Sequence, residues 1–355
     1  MAKELAQMLA KHEALNLERR KPFPMPFISD YDGGHPFVES YLGELATTPP
    51  RLLGDVTRYA GIDKDQDLKA KIAEFHHLYD GVSRDPELII PGGGSSAFLA
   101  TFCTWLLMAG HRSVYYLPPL YYKFAYFFQM YGIDARPVAR HHAFHPDLAL
   151  ALPSDRTVLI LSDPIWYGGT SVPEHVLNVI ARWQTRTGSL VFIDGTFQYM
   201  RWNGEHAEPS SRLPAEQTLR LISPTKYLSL HGYRSAYLLT PPALHDELDK
   251  LHINLHGDVP VSDRAFAHRA VDLMLTTGNS DLIHYIQDKY KRLLNANALT
   301  AATHATSGFF LFARTRTPRT RYLAMDQTFF ELSDHLDFVR INLLNTTALD
   351  LLLDF

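Results

Sequence analysis

Between about residues 85 and 240, short apolar runs without polar alternation take turns with longer stretches of helical periodicity. Glu87-Leu88-Ile89-Ile90 leads through a glycine turn into a helix around Ala97 to Ala109. Ser113-Val114-Tyr115-Tyr116-Leu117 precedes a helix from about Tyr121 to Tyr131, and Thr157 to Leu161 precedes one around Glu174 to Thr187. Leu190-Val191-Phe192-Ile193, Leu219 to Ile222 and Ser235 to Leu239 complete the set. Continuously apolar strands, each followed by a helix, predict a sheet buried on both faces. The fold class is therefore α/β, a large unit with a mostly parallel central sheet between helices.

The flanks differ. Ala2 to Arg20 has the period of an amphipathic helix, and Ala243 to Asn297 is mostly helical. Phe309 to Ala313 and Phe338 to Asn342 read as two strands, followed by a helix near Thr347 to Leu353. This predicts a smaller α+β domain over residues 243–355, completed by an arm at 1–48, with the large domain at 49–242. Proline-rich Lys21 to Phe27 and Thr48-Pro49-Pro50 mark extended crossings between them.

Composition narrows the classes. A chain of 355 residues, 46% hydrophobic, can bury one large core or two moderate ones. With 34 basic against 38 acidic residues and only the short cluster Glu18 to Lys21, nothing argues for nucleic acid. No apolar stretch approaches the ~20 residues of a membrane span, so a soluble, cytoplasmic protein is expected. The single cysteine, Cys103, lies in an apolar helical run and reads as a packing residue in a reducing compartment.

The candidate chemistry gathers at strand ends. Lys226 has a hydroxyl three residues before it, Ser223, and an arginine eight after it, Arg234. Asp194 ends an apolar strand upstream. An amine able to form a Schiff base, an anion clamp and a strand-end carboxylate are what pyridoxal phosphate requires. Pro91-Gly92-Gly93-Gly94-Ser95-Ser96 joins strand to helix, where tight turns and unpaired N–H groups suit an anion. It is neither a dinucleotide fingerprint nor a P-loop, because Ala stands at 97 and no Walker lysine follows. Adjacent pairs such as His76-His77 and His141-His142 point apart on a helix, so no metal is expected.

These spacings carry a resemblance. The chain is similar to the class I/II aminotransferases, the aspartate-aminotransferase-like, fold type I enzymes of pyridoxal phosphate. Ser223, Lys226 and Arg234 keep that family's spacing; Pro119, Tyr121 and Gly132 match its proline, aromatic and helix-closing glycine. Tyr59 precedes Leu68 to Ala73 as the family's subunit-bridging tyrosine precedes its helix. Arg340-Ile341-Asn342 matches the late strand that supplies the substrate-carboxylate arginine, and Gly34-His35-Pro36 the loop at the mouth.

The resemblance implies pyridoxal 5'-phosphate on Lys226, with Asp194 at the pyridine nitrogen and Tyr121 stacked on the ring. Arg234, Ser223, Gly94, Ser95 and Ser96 would hold the phosphate, and Arg340 and Gly34 would face the substrate. Each has a structural alternative: a helix N-cap for Asp194, core packing for Tyr121, an ion pair for Arg340. It also implies a homodimer with Tyr59 reaching the partner's site.

The chain departs from the pattern where the cofactor's 3'-oxygen should be held. The customary asparagine falls on Trp166 and the customary tyrosine on Phe197, leaving Trp166 or Tyr167 as substitute donors. The function expected is transamination of an α-amino acid. The alternatives are another reaction on the same scaffold (decarboxylation, side-chain elimination or replacement, oxidation) and a non-catalytic sensor module. The fold does not choose among these.

Overall fold

A computed structural model describes residues 2–22, 25–30, 34–49, 65–330, 332 and 336–354. Among these, the larger sheet comprises β1 (Ile89–Gly92), β2 (Ser113–Tyr116), β3 (Asp134–Pro137), β4 (Val158–Ser162), β5 (Leu190–Asp194), β6 (Thr218–Ile222) and β7 (Ala236–Leu239). Their spatial order is β1-β7-β6-β5-β4-β2-β3. Pairings from β3 through β6 are parallel, and β7 runs antiparallel to both of its neighbours.

The helices in chain order are α1 (Ala2–Arg19), α2 (Val38–Leu42), α3 (Gln66–Asp80), α4 (Ser95–Met108), α5 (Tyr122–Tyr131), α6 (Glu174–Thr187), α7 (Pro224–Tyr227), α8 (Pro242–His256), α9 (Val261–Thr276), α10 (Ser280–Asn295) and α11 (Thr346–Leu353).

Period two explains why the strands are apolar throughout. Ile160 and Phe192 face one side, where Phe98 and Phe102 of α4 and Phe124 of α5 cover them. Leu159, Leu161, Val191 and Ile193 face the other, under Ile72 and Phe75 of α3 and Ile180 and Trp183 of α6. With helices on both faces, neither set of side chains can be polar.

One charged residue breaks this rule. Arg220, in the middle of β6, is 1% exposed. Its guanidinium donates to Asp80 at the end of α3 (2.6 Å), to the side-chain amide oxygen Oε1 of Gln198 (2.6 Å) and to the Tyr199 hydroxyl (2.7 Å). His76, one turn before Asp80, pairs with the same carboxylate at 2.9 Å. A buried guanidinium is tolerable only when it is hydrogen-bonded, and these partners engage each of its three nitrogens.

The smaller sheet, order β10-β9-β8, is antiparallel and made of β8 (Leu299–Ala302), β9 (Phe310–Thr315) and β10 (Val339–Asn342). The N-terminal arm joins it: the Ile28 N–H donates to the Leu323 carbonyl, and the Ile28 carbonyl accepts from Asn342 N–H. Most predicted elements match within one or two residues. β3 and β8 were not predicted, because Asp-Ala-Arg-Pro and Leu-Thr-Ala-Ala offer no apolar run. No helix among the described residues is long and apolar enough to cross a membrane.

Candidate active site

The parallel strands β4, β5 and β6 end at one edge of the sheet, the side where α/β folds open a crevice. Asp194 is the last residue of β5, and Lys226 sits on α7, the single turn that follows β6. Pro224 at the first helical position and extended Ser223 before it stop the strand and start that turn abruptly. The lysine thereby stands at the floor of a cavity of about 260 Å³.

Asp194 is 4% exposed. The Thr196 hydroxyl donates to it at 2.8 Å, and the Thr196 N–H at 3.3 Å. Burial holds its carboxyl above the ordinary carboxylate range, against the opposing pull of Thr196 and Lys226. Lys226 lies with its ammonium 5.6 Å from the Phe197 ring centre. Burial, followed by the charges of Arg234, Arg340 and Lys123, lowers its amine to about 7. An amine so tuned is largely neutral at slightly alkaline pH, as a nucleophile or proton carrier needs.

One end of the cavity is built by the glycine turn. Gly94 has φ +101°, open to glycine and strained for other residues, and a Cβ there would meet the Arg234 guanidinium at 3.1 Å. The Arg234 side chain is thus laid across the N-terminus of α4, close to Ser95 and Ser96. Ser223 lies behind it, donating to the Ser235 carbonyl at 3.0 Å and sharing a 2.8 Å hydrogen bond with Thr225.

The other end is Arg340 of β10. Its guanidinium is sandwiched 4.3 Å from the Phe310 ring centre and 5.3 Å from that of Trp166, and it donates to the Ser29 carbonyl at 2.9 Å. Tyr121 stands edge-on to Trp166 at 5.1 Å and closes the side wall.

The structure therefore brings Lys226, Asp194, Ser223 and Arg234 to one cavity with Gly94, Ser95 and Ser96. Tyr121, Trp166, Phe197 and Arg340 line it as well. Gly34 is exposed and does not line it; Tyr59 lies outside the described residues. Tyr167 turns away, buried and stacked 4.3 Å from Phe330, so of the two substitute donors only Trp166 faces the site.

Sequence reasoning missed one wall. His12, Leu15, Asn16 and Arg19 of α1 line the cavity, a single helical face by their spacing. His12 stacks on Tyr122 and is paired with Asn16 at 3.2 Å. Amphipathicity announces such a face but does not say what it covers. Lys123 and Thr196 were also missed, having no motif of their own.

The model of the family "Aminotransferase class I and II" matches residues 31–336. Among solved structures, substrate-bound BacF from Bacillus subtilis superposes with a TM-score of 0.77 at 14% identity, covering 97% of this chain and 93% of that one. A probable N-succinyldiaminopimelate aminotransferase from Thermus thermophilus gives 0.77 at 16%, with 97% of each chain covered. YbdL of Escherichia coli, described with a methionine aminotransferase function, gives 0.74 at 17%, covering 99% and 96%. Among curated proteins no sequence matches. At such identities the superpositions speak for the fold, here that of the fold type I enzymes, while the family match spans most of the sequence: the chain belongs to the class I and II aminotransferases.

Proposed function

We propose that the protein is a pyridoxal-phosphate-dependent aminotransferase of an α-amino acid, with Lys226 as the cofactor-bearing residue. The observation that carries this reading is the convergence of Lys226, Asp194, Arg234 and Arg340 on one cavity. The cavity fits the cofactor in two further respects. The indole N–H of buried Trp166 has no acceptor among the described residues, although the residue lines the site. At the opposite end, Gly94 leaves room beside the Arg234 guanidinium that a Cβ would take.

When bound, pyridoxal phosphate supplies an aldehyde for the substrate's amino group and a sink for electrons released at Cα. The chain's own residues do the rest. Arg234, Ser223 and the N–H groups at the start of α4 would hold the phosphate. Asp194 would hold a proton on the cofactor's pyridine nitrogen, and the Trp166 indole would be the donor available to its ring oxygen. Arg340 grips the substrate carboxylate with its planar fork. That grip would fix which bond at Cα faces Lys226, whose amine would be the group that holds and moves the α-proton. α1 covers the site.

Phe197 has no donor to offer the ring oxygen, so of the two positions that would flank that oxygen only Trp166, which lines the cavity, could donate to it. This feature favours, as a second reading, another reaction at the same amino acid, such as decarboxylation or side-chain elimination. Two of the similar structures are named for different substrates, N-succinyldiaminopimelate and methionine. A homodimer is part of the proposal; a sedimenting monomer with full activity would remove it.

Borohydride reduction of the cofactor-loaded protein, followed by peptide mapping, tests the assignment. The expected result is a pyridoxyl group on Lys226 that Lys226→Ala lacks. No label, or one on another lysine, would contradict it.

A further inference from the structure

We infer that Lys123 is a second cation of the phosphate cradle, facing Arg234 across the N-terminus of α4. The inference rests on the reading of the cavity as a pyridoxal phosphate site. Lys123, in the first turn of α5, lines the cavity, and its ammonium donates to the Ser96 hydroxyl at 2.5 Å. Ser96 is the second residue of α4, directly after the Gly94-Ser95 turn that Arg234 overlies.

This placement is electrostatically unfavourable on its own. The start of a helix carries partial positive charge and repels a cation. Lys123 is half-buried, and burial together with the Arg234 charge lowers its amine below the ordinary lysine range. Among the described residues no carboxylate pairs with it. Lys123, Lys226, Arg234 and Arg340 surround the cavity, while the acids that line it are Asp194 and Asp30, the latter already paired with Arg19. An anion between α4, Arg234 and Lys123 turns each of these repulsions into an attraction.

The charges also sort by position. Arg340 stands at the far end, beside Phe310 and Trp166, and suits a single carboxylate. Arg234 and Lys123 stand together over the helix start and suit a dianion. Lys123 is a positioning residue here: it holds the phosphate and takes no part in proton transfer.

Titration of the apoprotein with pyridoxal phosphate, and separately with pyridoxal, tests this. In Lys123→Met, affinity for pyridoxal phosphate should fall about 10- to 100-fold, the worth of a hydrogen bond to a charged group. Pyridoxal affinity should stay within about twofold, which also reports an intact fold. Lys123→Arg should recover most of the loss. Equal losses for both ligands, or no loss for either, would overturn the inference while leaving the cofactor assignment standing. A wild-type protein that binds neither ligand would overturn both.

Discussion

His12 and Tyr122 stack with ring centres 4.4 Å apart and planes 25° apart, joining α1 to the first turn of α5 at the edge of the cavity. A second tie, from the Lys11 ammonium to the Thr328 carbonyl at 2.5 Å, holds the same helix to the segment between β9 and β10. The cavity is thereby roofed by a helix far from it in sequence.

Removing the stack should loosen that roof without touching the chemistry. His12→Ala is expected to raise KM for the amino acid about 3- to 10-fold, in line with the worth of an aromatic pair. kcat should change by less than about twofold. A steady-state comparison with His12→Phe, which keeps a ring, should show partial recovery.

The pH behaviour of Lys226 follows from its surroundings. Its amine is lowered to about 7, so the folded protein sheds that proton well before an unfolded chain would. Labelling of apoprotein by an amine-selective reagent, read at the Lys226 peptide, should reach half its plateau rate near pH 7. Surface lysines should do so above pH 10. Arg340→Gln removes one of the charges that lower the amine, so its midpoint should move upward.

Arg340 should be intolerant even of a conserved charge. Lys cannot reproduce a planar fork held between two rings. Arg340→Lys is expected to raise KM for an α-amino acid at least ~10-fold while leaving pyridoxal phosphate affinity unchanged. Equilibrium titration and steady-state rates on the same variant separate the two effects.

The buried Arg220–Asp80–His76 cluster makes a stability prediction. Burial alone would raise the Asp80 carboxyl, but Arg220 and His76 outweigh it and hold it well below the usual range. Asp80→Asn leaves Arg220 buried without its counter-charge and should cost roughly 3–5 kcal/mol in denaturant unfolding. His76 is depressed to about 4, chiefly by burial, so it folds neutral. Its contribution is fully present above its unfolded value near 6.5 and is lost as pH falls from there toward 4. The acid side of the stability profile should therefore flatten over that window in His76→Gln.

Much of this site was legible in the sequence because its parts are local. Ser223, Lys226 and Arg234 lie within one strand-turn-strand unit, and Asp194 follows an unmistakable buried strand. Gly94, Ser95 and Ser96 sit at a turn whose glycines advertise it. What could not be read depends on contacts across the fold. His12 and Lys123 reach the cavity through the packing of α1 on α5, which no spacing encodes. Arg220 in the middle of β6 reads as an interruption of an apolar run until Asp80, 140 residues earlier, is seen to meet it. The same limit applied to Tyr167: only the third dimension turns it toward Phe330 and leaves the indole of Trp166 to face the site.

The central claim is that an α-amino acid gives up its amino group in this cavity. The most direct test is a single half-reaction: cofactor-loaded protein mixed with one amino acid at a time, with both products identified by mass spectrometry. The account predicts stoichiometric pyridoxamine phosphate together with the matching keto acid, reversed by adding a keto acid and absent in Lys226→Ala. Release of carbon dioxide or of a side-chain fragment, with the cofactor recovered as pyridoxal phosphate, would contradict it.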